Sequence, residues 1–365
     1  MKKTVLILLI NGALCSSGLQ AAEVFNKDGN RLDLYGRMKA DHQMSKNNGV
    51  DGDNSYARIG FKGQTQINDA LTGYGQWEYQ VATNRAENDS SGTKTRLGFA
   101  GLRSRDYGSL DYGRGFGVLY EVGAYTDMLP DFGDDAYIRP DNFMNGRSTG
   151  LLSYRNDGIF GLIDGLRLTL QYQGKNENDG RAASRQNGDG FGTAVSYDFG
   201  ETGVSAVAAY ARSDRTNAQM RQNYGHGSKA ESWGSGLKYD DHNVYLAATY
   251  AQTRNMTPIS GTATINGAKT SVAGAANKVD GVELVAQYQF DFGLRPSIAW
   301  IQSKAKDVEG IGNVDLAKYF DLNATYYFNK NISTFVEYKI NQLKKDNELA
   351  INNNNVVSLG IMYQF

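Results

Sequence analysis

Five aspartates, Asp127, Asp131, Asp134, Asp135 and Asp141, crowd the stretch from Tyr125 to Arg147, interleaved with Leu129-Pro130 and Phe132-Gly133. Carboxylates at this density can share a proton, attract a cation or set up an electrostatic field. Proton chemistry is poorly served here. Asp134 and Asp135 are neighbours whose side chains diverge, and nothing around them in the sequence raises either pKa into a working range. The histidines His42, His226 and His242 read as lying in or beside loops and turns, and none is matched to a serine and an aspartate on one strand face. Gly113-Arg114-Gly115-Phe116-Gly117 lacks the third glycine and the following helix of a phosphate loop. The sequence therefore predicts no enzyme and no cofactor, and it defines no metal site. An electrostatic field is the chemistry that remains.

A field needs an opposite pole, and arginine parity supplies one. In Ala57-Arg58-Ile59-Gly60-Phe61 the apolar Ile59 and Phe61 mark one strand face, which turns Arg58 to the other. Leu97 and Phe99 place Lys94 and Arg96 by the same rule, and Leu32 and Leu34 place Arg37. Arginines gathered on one inner face repel and lose hydration unless water or carboxylates offset the cost. The acidic stretch is an available counter-charge, provided that it folds inward.

The elements that would hold these residues are strands. Val357, Leu359, Ile361, Tyr363 and Phe365 alternate with Ser358, Gly360 and Gln364. The same period of two returns over 322–328 and 282–290, with stretches long enough to cross a bilayer when tilted. Asp, Asn and Gly mark short turns at 68–69, 106–108, 158–161, 198–200, 240–243, 291–293 and 329–331. Between them lie polar connections around 45–54, 82–93, 116–147, 176–187, 213–229, 254–278, 305–316 and 343–355. Seven turns and two end segments give sixteen strands, with long loops at one rim and short turns at the other. The sequence predicts an all-β fold, a sixteen-stranded antiparallel transmembrane β-barrel with long outer loops and short turns. A soluble β-sandwich would also alternate, but it would not stack aromatics beside the turns as Tyr197-Asp198-Phe199 and Phe290-Asp291-Phe292 do.

Lys2 and Lys3 ahead of the apolar Val5 to Ile10 read as a secretory signal cut after Ala21, so residues 1–21 are the signal and 22–365 the barrel. Cys15, the only cysteine, follows Gly12-Ala13-Leu14, whose leucine disfavours a lipoprotein reading. The mature chain then holds no cysteine for a disulfide or a thiolate metal site. It carries 36 basic against 39 acidic residues, a formal charge of −3 that argues against nucleic acid as a partner.

Several stretches resemble the general diffusion porins of Gram-negative bacteria. They include Ala22 to Asn30, Gly73-Tyr74-Gly75-Gln76-Trp77-Glu78-Tyr79, Tyr288 to Pro296, Lys304 to Gly312 and the closing Tyr363-Gln364-Phe365. The resemblance runs the length of the mature chain and implies a homotrimeric, passive outer-membrane channel for small hydrophilic solutes and ions, embedded in outer-membrane lipid and lipopolysaccharide. The resemblance implies that the third long loop folds inward and narrows the pore, and the family's signature for that loop, Pro-Glu-Phe-Gly-Gly-Asp, reads here as Pro130-Asp131-Phe132-Gly133-Asp134-Asp135. Asp131 thus shortens a glutamate, and Asp134 replaces a glycine. By the same resemblance Asp127, Asp131 and Asp135 form the acidic side of the constriction and Arg37, Arg58, Arg96 and Arg147 the basic side. Tyr56, Glu78, Lys94 and Tyr120 line the pore, and the terminal Phe365 is the aromatic read by the assembly machinery. Mild cation preference follows from the net charge and the added Asp134.

Overall fold

The computed structural model describes residues 22–89, 91–177 and 180–365. The signal assigned to residues 1–21 lies outside them. Sixteen long strands form one antiparallel sheet that closes on itself. The first four are β1 (Asn30–Ser45), β2 (Tyr56–Gln66), β3 (Leu71–Ala82) and β4 (Lys94–Ser104). They are followed by β5 (Gly108–Phe116), β6 (Arg147–Asp157), β7 (Leu166–Gln173), β8 (Gly190–Asp198), β9 (Val204–Asp214) and β10 (Lys229–Asp241). The circle is completed by β11 (Val244–Arg254), β12 (Lys278–Tyr288), β13 (Leu294–Val308), β14 (Gly312–Tyr327), β15 (Ile332–Asn341) and β16 (Val356–Gln364). Closure comes from β1, which pairs with β2 and also with β16 over Arg37↔Gln364 to Ser45↔Val356. The barrel thereby leaves no row of unpaired amides facing lipid.

The seven short turns fall where the sequence placed them, but the long connections differ in two places. The connection expected over 305–316 shrinks to residues 309–311, because β13 and β14 stay paired out to Val308 and Gly312. The connection over 254–278 is itself a hairpin, Pro258–Ile265 against Ala268–Ala275. Its Ile259, Ala263 and Val272 pack with Val308, Val314 and Leu349 into a small apolar core at the rim. Upstream of β1, Ala22–Lys27 pairs back onto residues 30–34.

Outward positions carry the apolar side chains, such as Ile59, Phe61, Leu237, Ile298 and Leu359. Among the described residues no helix is long and apolar enough to span a membrane, which leaves crossing to the strands. The largest buried apolar cluster lies inside the barrel, not between layers. There Val118, Leu119, Val122, Tyr125, Tyr137 and Met144 of the third long loop pack on Ala194, Ala209, Ala211, Ala247, Ala251 and Val285 of the wall. Small residues on the inward face of β8 to β12 make room for this loop. At Gly281 an added Cβ would lie 2.7 Å from Tyr137 Cδ1, so the close approach depends on the missing side chain.

Candidate functional site

The loop between β5 and β6, residues 117–146, crosses the lumen, and its route can be followed bond by bond. It leaves β5 beside its own return leg, with the Gly117 amide on the Gly146 carbonyl and the Leu119 amide on Met144. Arg114 holds that return leg through both oxygens of Asp141, at 2.5 and 3.1 Å. A single helical turn, Tyr120–Gly123, lies on β9 and β10. Thr126 then reaches Glu283 of β12 at 2.5 Å, and the Tyr125 carbonyl accepts the Tyr245 hydroxyl of β11.

The far end is fixed to the opposite wall. Glu337 of β15 accepts the amides of Asp131 and Phe132 at 2.9 and 3.0 Å, and the Tyr319 hydroxyl of β14 meets the Gly133 amide. Asp135 accepts from Tyr319 and lies 3.3 Å from Lys339. The Ala136 amide returns to Glu283, and Asn142 donates to the Met256 carbonyl. The segment is thus an anchored strap.

The arginines sit on the facing wall, and their grouping follows from register. Arg37 pairs across the strands with Arg58, Arg58 with Gln80, and Gln80 with Lys94, which sets three cations in one row of β1 to β4. Like charges placed directly opposite destabilise a sheet, so the row is a cost that packing does not explain. Part of it is offset locally. Glu78 accepts Arg96 Nε at 2.5 Å, stands 3.8 Å from Arg58 and takes the Tyr35 hydroxyl. Arg58 also donates to Gln80 at 3.0 Å and lies over the Tyr56 ring.

Arg147, at the start of β6, lies over Phe116, whose ring stacks on Tyr120 at 4.2 Å. The Tyr120 hydroxyl donates to Asp127 at 2.6 Å, and Lys94 lies in the field of Arg96, Arg147 and Arg58. The structure places Arg37, Arg58, Lys94, Arg96, Arg147, Tyr56 and Glu78 in one neighbourhood, with Tyr120 and Asp127 at its edge.

Asp131 departs from expectation. The resemblance set it on the acidic side facing the arginines, but its ion pair is with Lys39 of β1, Nζ to Oδ1 at 2.5 Å. Gln43 holds the other oxygen at 2.7 Å, and Asn54 approaches at 3.4 Å. Burial alone would push the Asp131 carboxyl up. The charge of Lys39, with hydrogen bonds from Lys39, Gln43 and Ser358, outweighs burial and holds it below the usual carboxylate range.

Asp134 is a second departure, since its carboxyl is raised well above that range by burial first and then by Asp127, Glu283 and Asp135. His42 lies on β1 opposite Leu359, close to the strand's end at Ser45 and so beside the loop that follows. The parity rule itself slips at Arg96. A register shift sets Leu97 opposite Glu78 and leaves Arg96 in the bulge, so Leu97 is turned in and buried while Gly98, not Phe99, lies beside Trp77 on the outer face.

The family model for Gram-negative porins matches residues 27–365. The chain belongs to the Gram-negative porin family. It is 57% identical to outer membrane porin PhoE of Escherichia coli strain K12 over 365 residues, the full length of both chains. Outer membrane protein F of Serratia marcescens is 54% identical, again over all of both chains. Among solved structures, Salmonella typhi OmpF in complex with daunomycin matches with a TM-score of 0.86 at 46% identity, covering 94% of this chain and all of that one. As a member of this porin family the chain is a passive outer-membrane channel for small solutes, and the family's members are channels and not enzymes.

Proposed function

We propose that this porin is a water-filled, mildly cation-selective pore for small hydrophilic solutes and ions, working as a homotrimer set in outer-membrane lipid and lipopolysaccharide. In this reading Asp127, Asp131 and Asp135 are the acidic side of a constriction. Arg37, Arg58, Arg96 and Arg147 are its basic side, and Tyr56, Glu78, Lys94 and Tyr120 complete the lining. The observation that carries the reading is the strap of residues 117–146, which spans the barrel from β5 and β6 to β1, β14 and β15 with its acids on the span. Sixteen strands make a cylinder wider than wall side chains can fill, so a strap narrows the lumen without closing it. Opposite charges on its two sides set a transverse field that orients polar solutes and disfavours apolar ones.

Cation preference follows from the excess of acids in the mature chain, and its mildness from cations that already answer some of them, Lys339 at Asp135 and Lys39 at Asp131. Purified protein in a planar bilayer under a potassium chloride gradient tests both parts. Stepwise conductance with a reversal potential of cation sign is the expected result. Absence of steps dismisses the pore, and anion sign dismisses the selectivity.

A further inference from the structure

Two charges of β1 that the constriction reading does not itself require, Lys39 and Asp41, meet Asp131 of the strap. Lys39 lies with its ammonium 2.5 Å from Asp131 and 3.4 Å from Asp41, and the side chains of all three are at most 5% exposed. Asn54 reaches toward both carboxylates, at 3.4 and 3.5 Å, and Ser358 of β16 approaches Asp41 at 3.5 Å. One Asp41 oxygen has no hydrogen-bond donor. The rings of Tyr56 and Phe335 flank the ammonium at 5.8 and 5.4 Å, so Lys39 has little room to swing away. One cation thus answers two carboxylates, and the group carries a formal charge of −1.

We infer that Lys39 is a specificity-determining residue of the channel, because its ammonium, fixed between Asp41 and Asp131, sets how much of the strap's negative charge reaches a passing ion. The inference rests on the reading of residues 117–146 as a constriction. A salt bridge that served only to hold the strap would be redundant at this end, where Glu337 and Tyr319 already bind the backbone of residues 131–133. What Lys39 adds beyond those bonds is charge. Its removal doubles the group to −2, whereas removing Asp131 leaves Lys39 matched one to one by Asp41. A unit charge about 10 Å from an ion in water changes its energy by roughly 0.7 RT, which alters local ion occupancy about two-fold.

The test compares reversal potentials of Lys39→Met, Lys39→Arg, Asp41→Asn and the parent in planar bilayers under one salt gradient. Lys39→Met should raise the cation-to-anion permeability ratio about two-fold or more. Lys39→Arg, which keeps the charge, should match the parent, and Asp41→Asn should move the ratio toward anions. Circular dichroism and heat-resistant oligomer on gels report folding. A folded Lys39→Met channel with altered conductance and the parent's reversal potential makes Lys39 a strut and overturns the inference. Should Lys39→Met not assemble, Asp41→Asn decides alone, and an unmoved ratio there overturns the inference equally. A parent protein that forms no channel in the bilayer would instead defeat the constriction reading on which this rests.

Discussion

Asp134 adopts left-handed backbone, with φ of 54°, a conformation that aspartate and asparagine tolerate better than most side chains. The backbone therefore survives the exchange of a glycine for an aspartate, but the carboxyl enters ground already held by Asp127, Asp135 and Glu283. Below the ordinary carboxylate pKa it is protonated whether the chain is folded or not, and it contributes nothing. As pH rises above that value the unfolded chain releases the proton while the folded one retains it, so stability falls with pH toward the raised folded value. Asp134→Asn should accordingly raise the thermal midpoint of detergent-solubilised protein at pH 7.5 and leave it nearly unchanged at pH 4. A larger gain at pH 4 would refute the sign. Arg37 and Arg58 were legible from parity, and by the same parity so were Lys39 and Asp41, two and four residues beyond Arg37 on the same strand face. Asp131's choice of partner was not legible. Parity gives the face a residue points to, while its partner depends on where a strap of thirty residues, 117–146, comes to rest.

At the scale of elements, the tip of the strap is held by bonds to its own backbone as well as to its side chains. Glu337 supplies two acceptors to two successive amides, and a glutamine there would turn a donor toward one of them. Loss of one acceptor with its buried amide left unpaired costs about 1–3 kcal/mol, enough to loosen one end of a segment whose other contacts remain. Glu337→Gln should leave the strand ladder folded while raising single-channel conductance and current noise. A quiet channel of parental conductance would show that the side chains of residues 131–135 suffice to hold the tip. The inward turn of this loop was expected from resemblance alone, yet a physical signal was present in the sequence. Ala209, Ala211, Ala247 and Ala251 occupy positions where a wet wall would place polar side chains, and their smallness is the imprint of Val118, Leu119 and Tyr137. The rim hairpin was missed because Pro258 and the glycines at 261 and 267 read as loop punctuation, and its strands are stabilised by a core that only the folded rim creates.

The whole molecule depends on one seam. Strands added in sequence order pair with neighbours already present, whereas β1 and β16 meet only when all sixteen are in place, so their contact registers completion. Phe365 finishes that seam twice over. Its amide and carbonyl exchange bonds with Gly36, both at 3.0 Å, and its ring fills the space above Gly36, where an added Cβ would lie 2.9 Å from the ring. The sixteen-strand count was legible because turn chemistry and alternation are local, and the seam because a barrel in lipid cannot leave an edge. A role for Phe365 in assembly as well as closure is separable by two variants. Deleting Phe365 removes bonds and ring together, while Phe365→Ala keeps the backbone pair and removes only the ring. If the ring serves only the seam, Phe365→Ala should lose heat resistance equally in protein refolded from detergent and in protein isolated from outer membranes. If it also serves delivery, the amount of heat-resistant Phe365→Ala in outer membranes should fall several-fold further than the loss seen in refolded protein. Quantitative gels of heat-resistant oligomer from the two preparations separate these outcomes. Parental amounts of Phe365→Ala in outer membranes would end the assembly role and leave Phe365 to the seam alone.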